Sequence, residues 1–250
     1  MVHKTAQSGF TAGVAAYEQG RPAYPSAALA HWVRVFALDA ESHVVDVGAG
    51  TGKMSALLAQ TGARVTAVEP VVAMRAHLEA NCKGVAIGDG SAEATGLLAG
   101  SADLIVVAQA FHWFDAPRAC AEFARVLRPR GGLTLIWNSR DAREPWVAEL
   151  SRIVRWNAGA IPTYDVGDEP WVQRVTAGGE FTHLGNHEFG FNHEIDAAGL
   201  RARVLSISYI AALSPAAQAP ILAAVDALSS GLPERFVLPY RTFVYDFRRR

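Results

Sequence analysis

The run Val44-Val45-Asp46-Val47-Gly48-Ala49-Gly50-Thr51-Gly52 constrains this chain more than any other stretch. His43 to Val47 is short and β-branched, which predicts a buried parallel strand, and it ends in glycines at alternate positions. Lys53 to Gln60 then reads as a helix closed by Gly62. A strand that turns through G-x-G-x-G into a helix brings backbone close to a ligand, because glycine has no Cβ to block the approach. Glu69, seventeen positions beyond Gly52, ends a second strand, Arg64 to Val68. A carboxylate there can accept hydrogen bonds from both hydroxyls of a ribose. A dinucleotide fingerprint wants a small residue at position 53, and this chain has Lys53.

Further alternations follow. Pro70 falls where an N1 proline belongs, on a helix running to Ala80. Val85 to Ile87 is a short third strand, and Asp103 to Ala108 is a fourth, apolar almost throughout. Asp115 caps a helix from Ala116 to Leu127, and Arg128 to Gly132 turns into a fifth strand, Leu133 to Trp137. Such alternation predicts a parallel sheet with right-handed crossovers. The pattern breaks between Asn138 and Thr182, a stretch rich in Pro and Gly that holds Trp146, Trp156 and Trp171, with Trp137 at its edge. A strand around His187 to His193, helices over Ala197 to Leu205 and Pro220 to Ser229, and a closing strand from Phe236 to Phe247 complete the chain. Ahead of all this, Ser26 caps a helix running to about Phe36.

The expectation is one α/β domain with a Rossmann-like, seven-stranded, mostly parallel sheet, helices on both faces and a helical insertion after strand five. Residues 1–40 form a cap, 41–137 the cofactor-binding core, 138–182 the insertion or lid, and 183–250 the completion of the sheet.

Composition narrows the function. Half of the 250 residues are hydrophobic and 19% are charged, enough for a large core. A net charge of -1 gives no basic field for nucleic acid or an anionic membrane. Cys82 and Cys120 form no C-x-x-C, so neither a disulfide framework nor a zinc site is expected, and no metal-ligand cluster is visible. His187 and His193 are too far apart along one strand to share an ion. The most apolar run, Leu104 to Phe114, is too short to span a bilayer, and no apolar leader follows Met1. A soluble cytoplasmic domain is expected. No G-x-S-x-G or H-E-x-x-H occurs.

The glycine loop, Glu69, Gly90-Ser91-Ala92-Glu93 and Ala108-Gln109-Ala110-Phe111-His112-Trp113-Phe114-Asp115 together cover the carboxyl edge of the sheet, where open α/β folds bind ligands. On these residues the chain resembles the class I S-adenosylmethionine-dependent methyltransferases. The resemblance runs from Tyr17-Glu18-Gln19-Gly20-Arg21-Pro22-Ala23-Tyr24-Pro25 to the closing strand. The segment 108–115 and Trp137-Asn138-Ser139-Arg140-Asp141 resemble the branch of the trans-aconitate methyltransferases and their fungal small-molecule relatives.

The resemblance implies S-adenosylmethionine as cofactor and S-adenosylhomocysteine as product. Gly48, Ala49, Gly50, Thr51 and Gly52 would surround the methionine moiety, and Glu69 would hold the ribose. Pro70 and Met74 would flank the adenine, Ser91, Ala92 and Glu93 would border its edge, and Gln109 and Ala110 would back the sulfonium. Two positions depart from the family pattern: Arg130 replaces the first glycine of a Pro-Gly-Gly, and Ser91 stands where aspartate is frequent.

Methyl transfer from a sulfonium is an in-line displacement that needs alignment and exclusion of water. A carboxylate acceptor is ionised at pH 7 and needs no base, whereas a phenol, amine or carbon acid does. His112 is the candidate base, set against plain packing among Phe111, Trp113 and Phe114. Trp113 offers an apolar wall or a cation–π face. Tyr17, Arg21 and Tyr24 lie in a segment that in similar proteins folds over the pocket, and Arg140 and Arg143 lie at the entrance to the insertion. Arg21 and Arg140 are the candidate anion contacts for a small-molecule acceptor, since the guanidinium fork suits carboxylates. A nicotinamide oxidoreductase, disfavoured by Lys53, and a cofactor-binding module without turnover are the readings from other classes.

Overall fold

The computed structural model describes residues 20–156 and 170–250. Tyr17 and the middle of the expected insertion lie outside them. Along the described chain, α1 (Ser26–Val35) is followed by β1 (His43–Val47), α2 (Lys53–Leu58), β2 (Arg64–Val68), α3 (Val72–Asn81), β3 (Ala86–Gly88) and β4 (Ala102–Ala108). Then come α4 (Ala116–Val126), β5 (Leu127–Arg140), α5 (Pro145–Trp156), α6 (Trp171–Thr176) and β6 (Phe181–Ile195). Last are α7 (Ala197–Leu205), α8 (Ser208–Ala211), α9 (Pro215–Ser229) and β7 (Phe236–Arg249).

The strands form one seven-stranded sheet in the order β3-β2-β1-β4-β5-β7-β6. Strands β1 to β5 pair in parallel, while β7 runs antiparallel to both β5 and β6. Strand β1 is buried at every position because both of its faces are covered. Val45 and Val47 join the core formed by Phe123 of α4, while Val44 joins the core formed by Trp32 of α1 and Met54 of α2. A third apolar cluster packs α5, α7, α8 and α9 on the ends of β6 and β7 through Ile195, Phe236, Leu238 and Tyr240. Among the described residues no helix is long and apolar enough to cross a membrane.

Several boundaries differ from expectation for local reasons. Pro70 is not the first helical residue: Glu69 takes the Val71 N–H, Val71 stays extended, and α3 starts at Val72. Ser26 does not cap α1, whose N-cap is Pro25 with no side-chain bond, but Asp115 does cap α4 by accepting from Arg118 N. Helix α9 starts at Pro215 behind a Ser214 cap and carries Pro220 inside it. Strand β5 runs past Trp137 to Arg140, because Gly132 to Arg140 pair in antiparallel register with Arg248 to Tyr240. Positions 138–140 are therefore strand, as are Phe181 and Thr182 at the other end. The intervening helices go to different cores. Trp171 of α6 stacks on Trp137 at 4.5 Å within the sheet's own core, whereas Trp146 of α5 meets Phe236 edge-on at 5.5 Å.

Candidate active site

The turn out of β1 is shaped by contacts that exclude a side chain. Gly48 N donates to the Val68 carbonyl at 2.8 Å, and a Cβ on Gly48 would come within 2.8 Å of the Ala110 Cβ. Gly52 caps α2 in a left-handed conformation (φ 93°), and a Cβ there would lie 2.5 Å from Cys82 Sγ. Glu69, 6% exposed, binds the loop from below. Its Oε2 accepts from Gly50 N at 2.9 Å and its Oε1 from Val71 N at 2.8 Å, so one carboxylate holds the loop and the start of α3. Burial pushes its pKa up, against those two bonds.

Asp46 lies in β1, two residues before Gly48 of the loop, and is fully buried. Its Oδ2 accepts from Ser55 Oγ at 2.6 Å, while its Oδ1 is enclosed and has no partner among the described residues. Burial raises its pKa to about 7, the Ser55 bond opposes the rise and the Glu69 charge adds to it. Thr51 Oγ1 is likewise enclosed without a partner among the described residues.

The other loops at this edge approach in turn. Ser91 and Ala94 close a tight turn that buries Ala92, and Glu93 accepts from Asp115 N at 3.0 Å, tying the turn to the start of α4. Met74 is buried beside Val71, with Pro70 half-buried at the rim. After β4, Gln109 holds a positive φ of 57° and donates from Nε2 to the Asn138 carbonyl at 3.0 Å. Such a φ in a non-glycine residue is a local cost borne next to the loop. Ala110 faces Gly48, and His112 lies in a single helical turn, Phe111–Trp113, with its ring 4.8 Å from Trp113. Burial, then the charges of Arg21 and Arg174, push His112 down to about 3.

Opposite the loop the charge reverses. Asn138 donates to the Ala23 carbonyl at 2.9 Å and accepts from Thr242 Oγ1 at 2.6 Å, which fixes the entering segment over β5 and β7. Gly20 lies so close to the backbone of Ala202 and Arg203 that a Cβ would overlap it at 2.5 Å. Arg21 Nη2 donates to the Ser206 carbonyl at 3.2 Å, and Arg203, 7% exposed, donates from Nε to Tyr240 Oη at 2.8 Å. Arg140 has an enclosed Nη1 with no acceptor among the described residues. Burial and the Arg203 charge, with a smaller push from Arg21, lower Arg140 to about 10, so it stays cationic at neutral pH. No carboxylate pairs with Arg140 or Arg203 among the described residues. Arg143 points elsewhere, 71% exposed and bonded to Asp141 at 2.6 Å. A cleft lined by Arg21, Tyr24, Gln109, Arg203 and Tyr240 opens directly onto Gly48, Ala49 and Thr51.

Residues 45–135 match the family model described as a methyltransferase domain. An uncharacterized methyltransferase of Mycobacterium tuberculosis H37Rv is 39% identical over 200 residues, covering 80% of this chain and 76% of the relative. An uncharacterized methyltransferase-like protein of Schizosaccharomyces pombe is 30% identical over 243 residues, 94% of this chain and 93% of its own. The chain is a class I S-adenosylmethionine-dependent methyltransferase. The solved structure of a candidate type II methyltransferase from Anaeromyxobacter dehalogenans superposes on it with a TM-score of 0.64 at 27% identity, covering 91% of this chain and 96% of that one. In this methyltransferase the glycine loop, Glu69, the 91–93 turn and the 109–112 segment share one edge. Two residues of that edge were not singled out from sequence. Asp46 lies inside the loop motif, where a carboxylate in an otherwise apolar strand was the available signal. Arg203 had none: it lies in a helix of mixed character, between the buried Leu200 and Val204.

Proposed function

We propose that this methyltransferase esterifies a small carboxylate-bearing acceptor. The residues present fit the cofactor that the family uses. The loop presents glycine backbone with no Cβ in the way, Asp46 and Thr51 hold enclosed oxygens beside it that have no partner among the described residues, and the Glu69 carboxylate ends β2 at its rim. When bound, the cofactor supplies a methyl carbon activated by its sulfonium. Gly48, Ala49, Gly50, Thr51 and Gly52 would cradle its methionine portion and Glu69 its ribose hydroxyls. Pro70 and Met74 would flank the adenine, with Ser91, Ala92 and Glu93 at its edge, and Gln109 and Ala110 would back the methyl.

The observation that supports a carboxylate is the presence of Arg21 and Arg203 in the cleft lining with the buried Arg140 near enough to feel both charges, Arg140 and Arg203 having no acidic partner among the described residues. Partly buried cations are costly unless paired, and an anionic acceptor offsets that cost. His112 argues the same way. A base with a pKa of about 3 faces a phenol of pKa about 10 across a gap of about 7 units, or roughly 9–10 kcal/mol of uphill proton transfer. A carboxylate asks for no such transfer. His112 and Trp113 then serve as the wall that keeps water from the reacting carbon. Tyr17 is assigned to the same pocket by the family resemblance alone, and the likeness to the trans-aconitate branch supports the acceptor class.

The test is a panel of small carboxylic acids, phenols and amines with isotope-labelled cofactor. Carboxylates should accept label as base-labile esters. Preferential labelling of neutral phenols or amines would overturn the reading.

A further inference from the structure

Away from the cleft, three side chains from three elements meet on the α1 face of the sheet. His31 comes from α1, His187 from β6 and Asp246 from β7. His31 Nε2 lies 2.6 Å and His187 Nε2 3.7 Å from Asp246 Oδ2, and the three potential ligand atoms are all within 4.8 Å of one another. Asp246 is 1% exposed, and its Oδ1 is enclosed with no partner among the described residues. Thr134, its direct partner across β5, has an enclosed and equally unpartnered hydroxyl oxygen. Buried carboxylate oxygens ordinarily find donors, so this one calls for a specific explanation. A hydrogen bond from His31 accounts for Oδ2 alone and leaves Oδ1 open, while His187, its ring 4.0 Å from that of His31 between centroids, brings a second imidazole nitrogen towards the same carboxylate.

We propose that His31, His187 and Asp246 form a binding site for one divalent transition-metal ion, with zinc the best match. Two imidazole nitrogens and a carboxylate oxygen are a common donor set for such an ion, with a remaining position for water. Tetrahedral ligands at about 2.0–2.1 Å from zinc lie about 3.3 Å apart. The His31–Asp246 contact therefore opens by about 0.7 Å from 2.6 Å and the His187 contact closes by about 0.4 Å from 3.7 Å. His187 is the side chain able to move, being 42% exposed, and it also gives the ion a path from solvent.

The site is separate from the cleft. Asp246 pairs with Thr134, and the cleft-lining Asn138 lies four residues further along β5, about 13 Å at the rise of an extended strand. The ion would pin α1, which continues directly from the cleft-lining Arg21 to Tyr24 segment, onto β6 and β7 at one edge of the sheet. The sequence expectation of no metal cluster missed these residues because they lie 156 and 59 positions apart and share no motif.

The full chain, stripped with EDTA and dialysed, is titrated with Zn2+ by calorimetry and with Co2+ followed by visible absorption. The expected result is one equivalent bound at micromolar Kd or tighter, cobalt d–d bands, and a higher Tm with metal. His187→Ala should weaken zinc binding at least tenfold and remove the Tm gain. His183→Ala is the control: it is on the same strand, but its Nε2 is engaged with Asn186 at 2.7 Å. It should leave both unchanged. Asp246→Asn should also abolish binding, and if that buried variant does not fold, His187→Ala decides alone. No binding below 1 mM, binding unaltered in His187→Ala, or equal loss in His183→Ala would each overturn the proposal.

Discussion

Two polar clusters, an acidic one beside the glycine loop and a basic one at the cleft onto which that loop opens, are built in opposite ways. The acidic one, Asp46 and Glu69, comes from adjacent parallel strands within one β-α-β unit, and Glu69 is satisfied largely by backbone N–H groups next to it in the fold. The basic one draws Arg21, Arg140 and Arg203 from the entering segment, the end of β5 and α7. Its members donate to a hydroxyl and a carbonyl, and Arg140 Nη1 to nothing among the described residues. The first cluster is locally complete and reads as a scaffold for a ligand common to the whole family. The second holds positive charge without an acidic partner among the described residues, and the proposed acceptor would supply one.

The largest effect should come from the acidic side. With its pKa raised to about 7, Asp46 favours the folded state when protonated. That contribution is fully present below the unfolded value of about 3.9 and is lost as pH rises through about 7. Asp46→Asn keeps an acceptor for Ser55 and should be more stable than the parent above pH 7, by about 2–4 kcal/mol, with the gap narrowing towards pH 4. Urea melts at a series of pH values measure this. A pH-independent gap would mean that Asp46 is ionised throughout.

Next in size is Glu69→Ala, which removes the acceptor of two backbone bonds and the proposed ribose contact. S-adenosylhomocysteine affinity, read by calorimetry, should fall by about 1.5–3 kcal/mol. An unchanged Kd would move the ribose elsewhere.

The basic side should respond with opposite signs in function and stability. Arg140→Leu should lower kcat/KM for the acceptor at least tenfold, about 1.4 kcal/mol, while the affinity for S-adenosylhomocysteine holds. Because it removes a poorly paired, partly buried cation, the same change should raise Tm by about 2–4 °C. A fall in both would make Arg140 structural and erase the contrast between the clusters.

The smallest effect belongs to His112. His112→Ala should cost a carboxylate acceptor less than threefold in kcat, and the pH–rate profile should show no imidazole titration between pH 5.5 and 8, since His112 is already neutral there. A large loss confined to phenolic acceptors would restore it as a base.

The same contrast explains what could be read from sequence. The acidic cluster lies between Asp46 and Glu69, and a strand, a glycine turn and a strand-end acid are all local signals. The core strands β1, β2 and β4 were legible because burial on both faces leaves continuous apolar runs. The full lengths of β5, β6 and β7 were less so, since their ends are mixed in character and become strand through antiparallel pairing with distant residues. Arg140 was named for its place at the entrance to the expected insertion, yet its value depends on Arg203, brought to it by helix packing that no short motif encodes. The tryptophans of the expected lid proved ambiguous for the same reason: Trp137 and Trp171 found each other in the sheet core.

The position of β7 has a consequence for how the protein is made. It lies between β5 and β6 although it follows both in the chain. During synthesis β6 therefore emerges as fifteen residues of extended chain whose hydrogen-bonding neighbour has yet to be translated. The half that carries the glycine loop can condense first, by short-range crossovers, and stand with β5 as a temporary open edge. Closure awaits the strand that brings Tyr240 and Thr242 into place, so the side of the cleft formed by Asn138, Arg203 and Tyr240 is the last part of the enzyme to exist. A nascent chain stalled before β7 would display two unpaired edges and no acceptor site, a species for chaperones and proteases rather than for catalysis.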